Sequence, residues 1–301
     1  PFKTIVLANI HSNRGDDLLL EPGTYNEPTT INLCNREIDI IGLQGSDETF
    51  INSGGLCTFK LDGCSYNSSL TGMNISTSSD TSIFTNNRRL NLEDIVTSSD
   101  IEINYTSNTL SNVTSYGEIY MNLDGSNYVI DMENVYSQPS NSDDNALEIL
   151  NSGNEIDINI NNSSFIRPGN SGSSSSDAIR HDGGGSGDNT RTDFNITNTI
   201  LHGDVELYNI RDFNASNTIF EDSYIYLRRY HSSDSDRADI DIKFTNFINS
   251  EMRTDGKGYV QNSIIYPTMP YTLEGSGSGD DESTLQFIYC LNAPEEDLPS
   301  P

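Results

Sequence analysis

The 301-residue chain carries 45 Asp and Glu against 16 Lys and Arg, a formal net charge of −29. A field of that sign repels phosphate and argues against nucleic acid as a partner. No apolar run approaches the roughly 18 residues of a membrane span, and no basic start with an apolar stretch marks a secretory leader.

Asn, Ser and Thr make up roughly a third of the chain, a composition that borders on disorder, but 15 Tyr and 11 Phe give it the means to build a core. Its acidic surface has few Lys, as expected of a protein working in very salty water, where ions screen self-repulsion.

Residues 1–15 read as an N-terminal cap segment. Pro1 is what removal of an initiator Met leaves, which predicts synthesis without a leader, and RGD at 14–16 is a common tripeptide rather than an integrin ligand. Residues 18–42, LLLEPGTYNEPTTINLCNREIDIIG, set two apolar strands around a Pro-Gly-Thr-Tyr turn and end on Ile-Gly.

From there one phrase recurs: an apolar residue, three of any kind, Asn, then apolar residues again. It appears as LNLEDIV at 90–96, IDMENVY at 130–136, FNITNTIL at 194–201 and FNASNTIF at 213–220. Its anchors are Asn74, Asp94, Asn112, Asn134, Asn162, Asn198, Asn217, Asn246 and Asn262, with steps of 20, 18, 22, 28, 36, 19, 29 and 16. A period of about 20 residues with insertions marks a repeat architecture.

Between anchors the apolar residues alternate, as in Ile101-Glu102-Ile103 and Val205-Glu206-Leu207, and period two means strand. Short strands separated by Asn, Gly, Ser and Asp turns predict coils stacked ~4.8 Å apart, with inward residues in apolar ladders. A recurring Asn at one turn predicts a structural column of Asn112, Asn134, Asn162, Asn198, Asn217 and Asn246, hydrogen-bonded from coil to coil and buried. The expected fold is all-β: a right-handed parallel β-helix of about 11 coils over residues 16–266, followed by a C-terminal cap and tail at 267–301. Nothing in the pattern keeps helical spacing beyond one turn.

The opening 18–42 resembles the first coils of the pectin-lyase-like right-handed β-helix superfamily. That resemblance implies the architecture, an extracellular or virion-surface location, and glycans as the ligand class. Within it, Cys34 and Cys57 would be neighbours in successive coils, expected as thiols. Cys57 and Cys64, seven apart, are close enough to pair.

The long insertions all border one strand column, at 135–146, 166–177, 180–193 and 228–241. Loops of such length in a compact domain usually carry function. Read by parity, the outward residues of that column are Glu102, Tyr120, Glu148, Arg180, Glu206, Tyr226 and Arg253. Tyr120, Glu148, Arg180, Glu206 and Tyr226 form the predicted glycan groove, where ring faces stack on sugars and charged groups bind hydroxyls; Tyr226 is expected to stack and Arg180 to meet an anionic group.

Catalysis is less well supported, and no catalytic residue is assigned. If the protein is an enzyme, Glu148, Glu206 and Arg180 are the candidates, for two carboxylates must straddle a glycosidic bond. No polygalacturonase-like Asn-Thr-Asp and no pectinesterase-like DFIFG segment occurs. His11, His181, His202 and His231 have no zinc spacing, and the acidic pairs lack a calcium-loop pattern, so no cofactor is expected, with Ca2+ at the acidic pairs as the alternative. The sequence points to a non-enzymatic surface protein, of spike, tail-fibre, turret or adhesin type. Its expected partners are a cell-surface glycan and either copies of itself, as a trimer, or other virion or surface proteins. The alternative is a glycan-cleaving lyase or hydrolase.

Overall fold

The structure, a computed structural model, describes residues 2–34, 37–54, 57–63, 65–123, 127–141, 143–151, 155–167, 176–183, 191–228, 238–266, 271–273 and 285–292. Short strands run around three faces, and each pairs in parallel with the strand one turn further on. On the third face Ile101, Ile119, Leu147, Ile179 and Val205 stand in register through five successive strands. Among the described residues that face holds eleven strands, from Ile31–Asn32 to Tyr271–Leu273. The other two faces form one continuous sheet. The chain is a parallel β-helix.

Alternation fixes which side of each strand is inside. Ile101 and Ile103 are 0% and 1% exposed, whereas Glu102 between them points outward. A single apolar cluster runs from Ile5 to Leu285. On the second face Phe165, Leu201, Phe220 and Phe247 stack in register, and the rings of Phe220 and Phe247 lie 5.3 Å apart at 8°. Each fully buried side chain of this size stabilises by about 1.5–3 kcal/mol.

From Gly72 onward the first and second faces meet at a single left-handed residue in each coil. Asn112, Asn134, Asn162, Asn198, Asn217 and Asn262 have φ between 50° and 55°, as does Asp94. Asn and Asp reach this region at lower cost than other side chains, because their short polar groups bond locally. The residue after the corner is often a buried hydroxyl bonded two residues back: Ser163 to the Asn161 carbonyl, Thr199 to Thr197, Thr218 to Ser216 and Ser263 to Gln261. The recurring Asn-Ser/Thr dipeptide therefore encodes a bend followed by an inward hydroxyl.

Three expectations about this column need correction. Asn74 is not a corner: Gly72 is, at φ 70°, and Asn74 pairs with Phe50 and Val96 two residues later. Asn246 likewise lies within a strand opposite Ile219 and Ile264, and the corner is Phe244 at φ 51°. Taking the nearest Asn displaces both anchors, since Gly turns such a corner without strain and Phe244 turns it despite its bulk. The column is also exposed rather than buried: Asn112, Asn134, Asn162, Asn198 and Asn217 all face solvent.

Gly42, which closes the opening motif, packs against the Gly72 corner; a Cβ at position 42 would lie 1.9 Å from the Gly72 carbonyl oxygen. Only glycine allows this approach.

The N-terminal segment holds helix α1 (Ile5–His11), which alternation in the strands does not foretell. Seven residues are too few for helical periodicity to stand out. Thr4 caps the helix by accepting from Leu7 N–H at 3.2 Å. The carboxylate of Glu27, 1% exposed, accepts from Ile5 N–H at 2.5 Å and Val6 N–H at 3.2 Å. The helix N-terminus thus compensates a buried charge, and Glu27 ties α1 to the first coils.

Cys34 is disulfide-bonded, contrary to the expected thiol, while Cys57 is a buried free thiol whose pKa burial pushes up to about 12. Cys64 lies outside the described residues. Among the described residues no helix is long and apolar enough to cross a membrane.

Candidate functional site

The outward side of the third face is one unbroken column. Glu102, Tyr120, Glu148, Arg180, Glu206, Tyr226 and Arg253 occupy successive register positions. Parallel pairing without a shift through these coils brings together residues up to 151 positions apart in the chain, Glu102 to Arg253.

Tyr226 is only 8% exposed. One ring neighbour is Tyr224, stacked at 6.1 Å, another is Tyr208, edge-on at 5.4 Å, and the Arg253 guanidinium sits 5.3 Å from its centroid. Its hydroxyl accepts from Arg228 at 3.1 Å. The ring is packed into the wall of the face and is not a free stacking platform, which corrects the role expected of it. Tyr120 is half-exposed, and burial, then the charge of Glu148, raises its hydroxyl pKa. Tyr120 is the aromatic of the column that can meet a ligand.

The strongest electrostatics lie one step aside, where the chain turns onto the third face. Glu118 and Glu148 repel each other across one coil, which favours the form in which one of them carries a proton. Burial, then the charge of Glu148, holds the Glu118 carboxyl well above its ordinary pKa. Asn145 organises the pair: its N–H donates to Glu118 Oε1 at 3.2 Å and its Nδ2 to Glu148 Oε2 at 3.1 Å. Its Oδ1 in turn accepts from Asp177 N–H at 2.7 Å, so one buried amide links three coils.

Asp177 is 5% exposed, and burial, then Glu206, pushes its carboxyl up to about 7. Arg180 Nη1 stands 3.9 Å from Asp177 Oδ2. Beside them Arg167, 7% exposed, pairs with Asp204 at 3.2 Å and donates to Ser176 at 3.1 Å. Asp100, one coil before Glu118, is raised to about 6, mainly by burial.

The column read from the sequence is therefore contiguous, but Glu118, Asn145, Asp177 and Arg167 were missed. A signal for three of them exists: a carboxylate or amide stands at the start of a third-face strand or one or two residues before it, as Asp100, Glu118, Asn145, Asp177 and Asp204. Of the four long loops, 168–175, 184–190 and 229–237 lie outside the described residues, as do His231 and the acidic pairs Asp234/Asp236 and Asp280-Asp281. His181 points into the core, 0% exposed, between Ile149 and Leu207 in register. His202 pairs with Glu221 at 3.3 Å on the second face. Among the described residues no group of three His, Cys, Asp or Glu side chains converges as metal ligands.

Chemically, the face offers acceptors at Glu102, Glu148 and Glu206, donors at Arg180 and Arg253, and an aromatic at Tyr120. Arg180 is flanked by Glu148 and Glu206 and already faces Asp177, so its charge is locally compensated. Hydroxyl groups fit this alternation better than an anion does.

No protein-family model matches the sequence, and neither does any curated protein. Among solved structures, the chain is similar to the A-module of the Azotobacter vinelandii mannuronan C-5 epimerase AlgE4, with 12% identity over 93% of this chain and 88% of that one and a TM-score of 0.39.

Proposed function

We propose that the third face binds a hydroxyl-rich glycan chain, and that the protein is a non-enzymatic surface protein, a virion spike, tail-fibre or turret component or a cell-surface adhesin. The observation that carries this reading is the column itself: acceptor, aromatic and donor side chains repeat at one coil spacing, ~4.8 Å, along a straight face. A polysaccharide also presents hydroxyls and apolar ring faces at regular intervals along a line. The long inserts bordering the same column support it further.

Glycan-array binding followed by titration tests the reading. Tyr120→Ala and Arg180→Ala are expected to weaken binding by about 1–3 kcal/mol each, while exposed changes on the second face have no effect. Absence of binding to any neutral or acidic polysaccharide would overturn it.

Cleavage of the glycan is the second reading, favoured by one feature: burial and the charge of Glu148 raise the Glu118 carboxyl well above its ordinary pKa, as suits a proton donor. Against it, Asn145 binds both Glu118 and Glu148 and ties them together, whereas cleavage needs two carboxylates set on opposite sides of a glycosidic bond. Release of reducing ends from the bound glycan, lost in Glu118→Gln, would replace the first reading with the second.

A further inference from the structure

Charged residues make up 20% of the chain, yet one outward column of the second face holds none from end to end. It begins at Thr24 and Phe50, passes Tyr136 and Ile200, and finishes at Ile264 and Leu291, in register through every coil between. Every position along it is Thr, Asn, Ser, Val, Ile, Leu, Phe or Tyr, and none is buried. In the column beside it, from Ile166 to Tyr266, the single carboxylate is Glu221, which His202 answers at 3.3 Å.

The other two faces are charged. Glu102, Glu148, Arg180, Glu206 and Arg253 line the third, and Asp157, Asp193, Asp212 and Asp239 stand in register on the first. A chain of net charge −29 stays soluble by its carboxylates. On the second face it instead sets large apolar side chains in water, with Phe50 40%, Ile200 41%, Ile264 45% and Leu291 62% exposed. Such a face marks a surface that a partner covers.

The partner must be long, straight and uncharged. A basic macromolecule would be drawn to the carboxylates of the first and third faces, whereas the second face of another copy meets all three requirements. Eleven coil steps of ~4.8 Å make the column about 53 Å long, and three residues with their corner span about 12 Å, so each copy covers roughly 600 Å². A pair then buries about 1,200 Å² in total, which reaches the range of stable interfaces. One flat face that meets itself closes on a two-fold axis, while a three-fold ring needs two different patches on each chain.

We propose that two copies of this chain pair through their second faces, the uncharged column of one against that of the other. The third faces stay outward in such a pair, so pairing leaves the titrated glycan affinity of each chain unchanged and stands without the glycan reading.

Sedimentation velocity of the full chain, from about 1 to 100 µM in ~0.1 M and ~1 M sodium chloride, tests this. A reversible monomer–dimer equilibrium is expected, tighter at the higher salt because screening weakens the repulsion between two acidic chains. Ile200→Asp and Ile264→Asp should each weaken pairing at least about tenfold while the melting temperature of the dilute monomer stays unchanged, since both side chains are already exposed. Val129→Asp is the matched control: 41% exposed like Ile200 but on the first face, it should leave pairing as it was. Thr114→Arg, on the same uncharged column, should also weaken pairing and reads the face independently if an aspartate lowers the melting temperature. The proposal is overturned if the chain stays monomeric at about 100 µM in both salts, if it assembles as a trimer, or if the second-face variants pair as tightly as Val129→Asp.

Discussion

Asn217 Nδ2 donates to Asn198 Oδ1 at 2.7 Å across one coil, and the two residues turn the same corner at φ 51° and 52°. Asn134 and Asn112 repeat the bond at 2.8 Å three coils earlier in the chain. Both pairs are exposed, so water competes for each bond, and the left-handed backbone is the stronger reason for Asn at this position.

Asn198→Ala is therefore expected to cost about 1–2 kcal/mol, the left-handed penalty for a residue with a Cβ, whereas Asn198→Gly costs only a few tenths. Urea unfolding of the two variants checks this. Equal losses for Ala and Gly would assign the effect to the side-chain ladder.

Phe244 holds the same corner at φ 51° and is 60% exposed. Phe244→Asn should stabilise by about 1 kcal/mol, by relieving the backbone and removing an exposed ring from solvent. A lowered midpoint would mean that the ring has a packing role.

Two buried groups act on pH stability in opposite directions. Burial depresses the His181 pKa from 6.5 to about 4, so between those values the unfolded chain binds the extra proton and stability falls as pH drops, by up to about 3 kcal/mol. Asp177 is raised from 3.8 to about 7, so over the same range the folded chain binds the extra proton and stability rises as pH drops. His181→Leu, matching its neighbours Ile149 and Leu207, should expose a stability that increases from pH 7 to 4. Asp177→Asn should leave a steeper acid loss than the unaltered protein shows. Thermal melts across that range read both.

With 45 acidic against 16 basic residues, screening should also matter. The melting temperature is expected to climb as chloride is raised towards ~1 M, where the Debye length falls to ~3 Å. A flat or falling curve would remove the case for a salt-adapted surface.

The strand column was legible because its alternation of Ile or Leu with charged or aromatic residues repeats from Glu102 to Arg253, and parallel pairing keeps parity from coil to coil. The corner was legible wherever Asn filled it and was displaced where Gly72 or Phe244 did, since the geometry is a property of φ that several residues satisfy. The Glu118 and Glu148 pair was not legible: it depends on Asn145, which sits in an insert, meeting side chains 27 and 3 residues away. Tyr226 was misread for the converse reason, since parity gives direction but not the neighbours that close over a ring. Helix α1 escaped because Glu27, its anchor, lies 22 residues downstream of Ile5.

A corner turned by one residue has an evolutionary consequence. Each bend uses a fixed length of chain, so residues gained or lost at the border of the third face leave the register of every other coil untouched. Interior and exterior also alternate strictly along each strand, so variation in outward residues such as Tyr120 or Arg180 is uncoupled from the aliphatic stack beneath. Selection can then change what the face recognises, by point substitution or by loop length, without first finding a compensating change in the core. Such a scaffold is well suited to following a ligand that itself drifts.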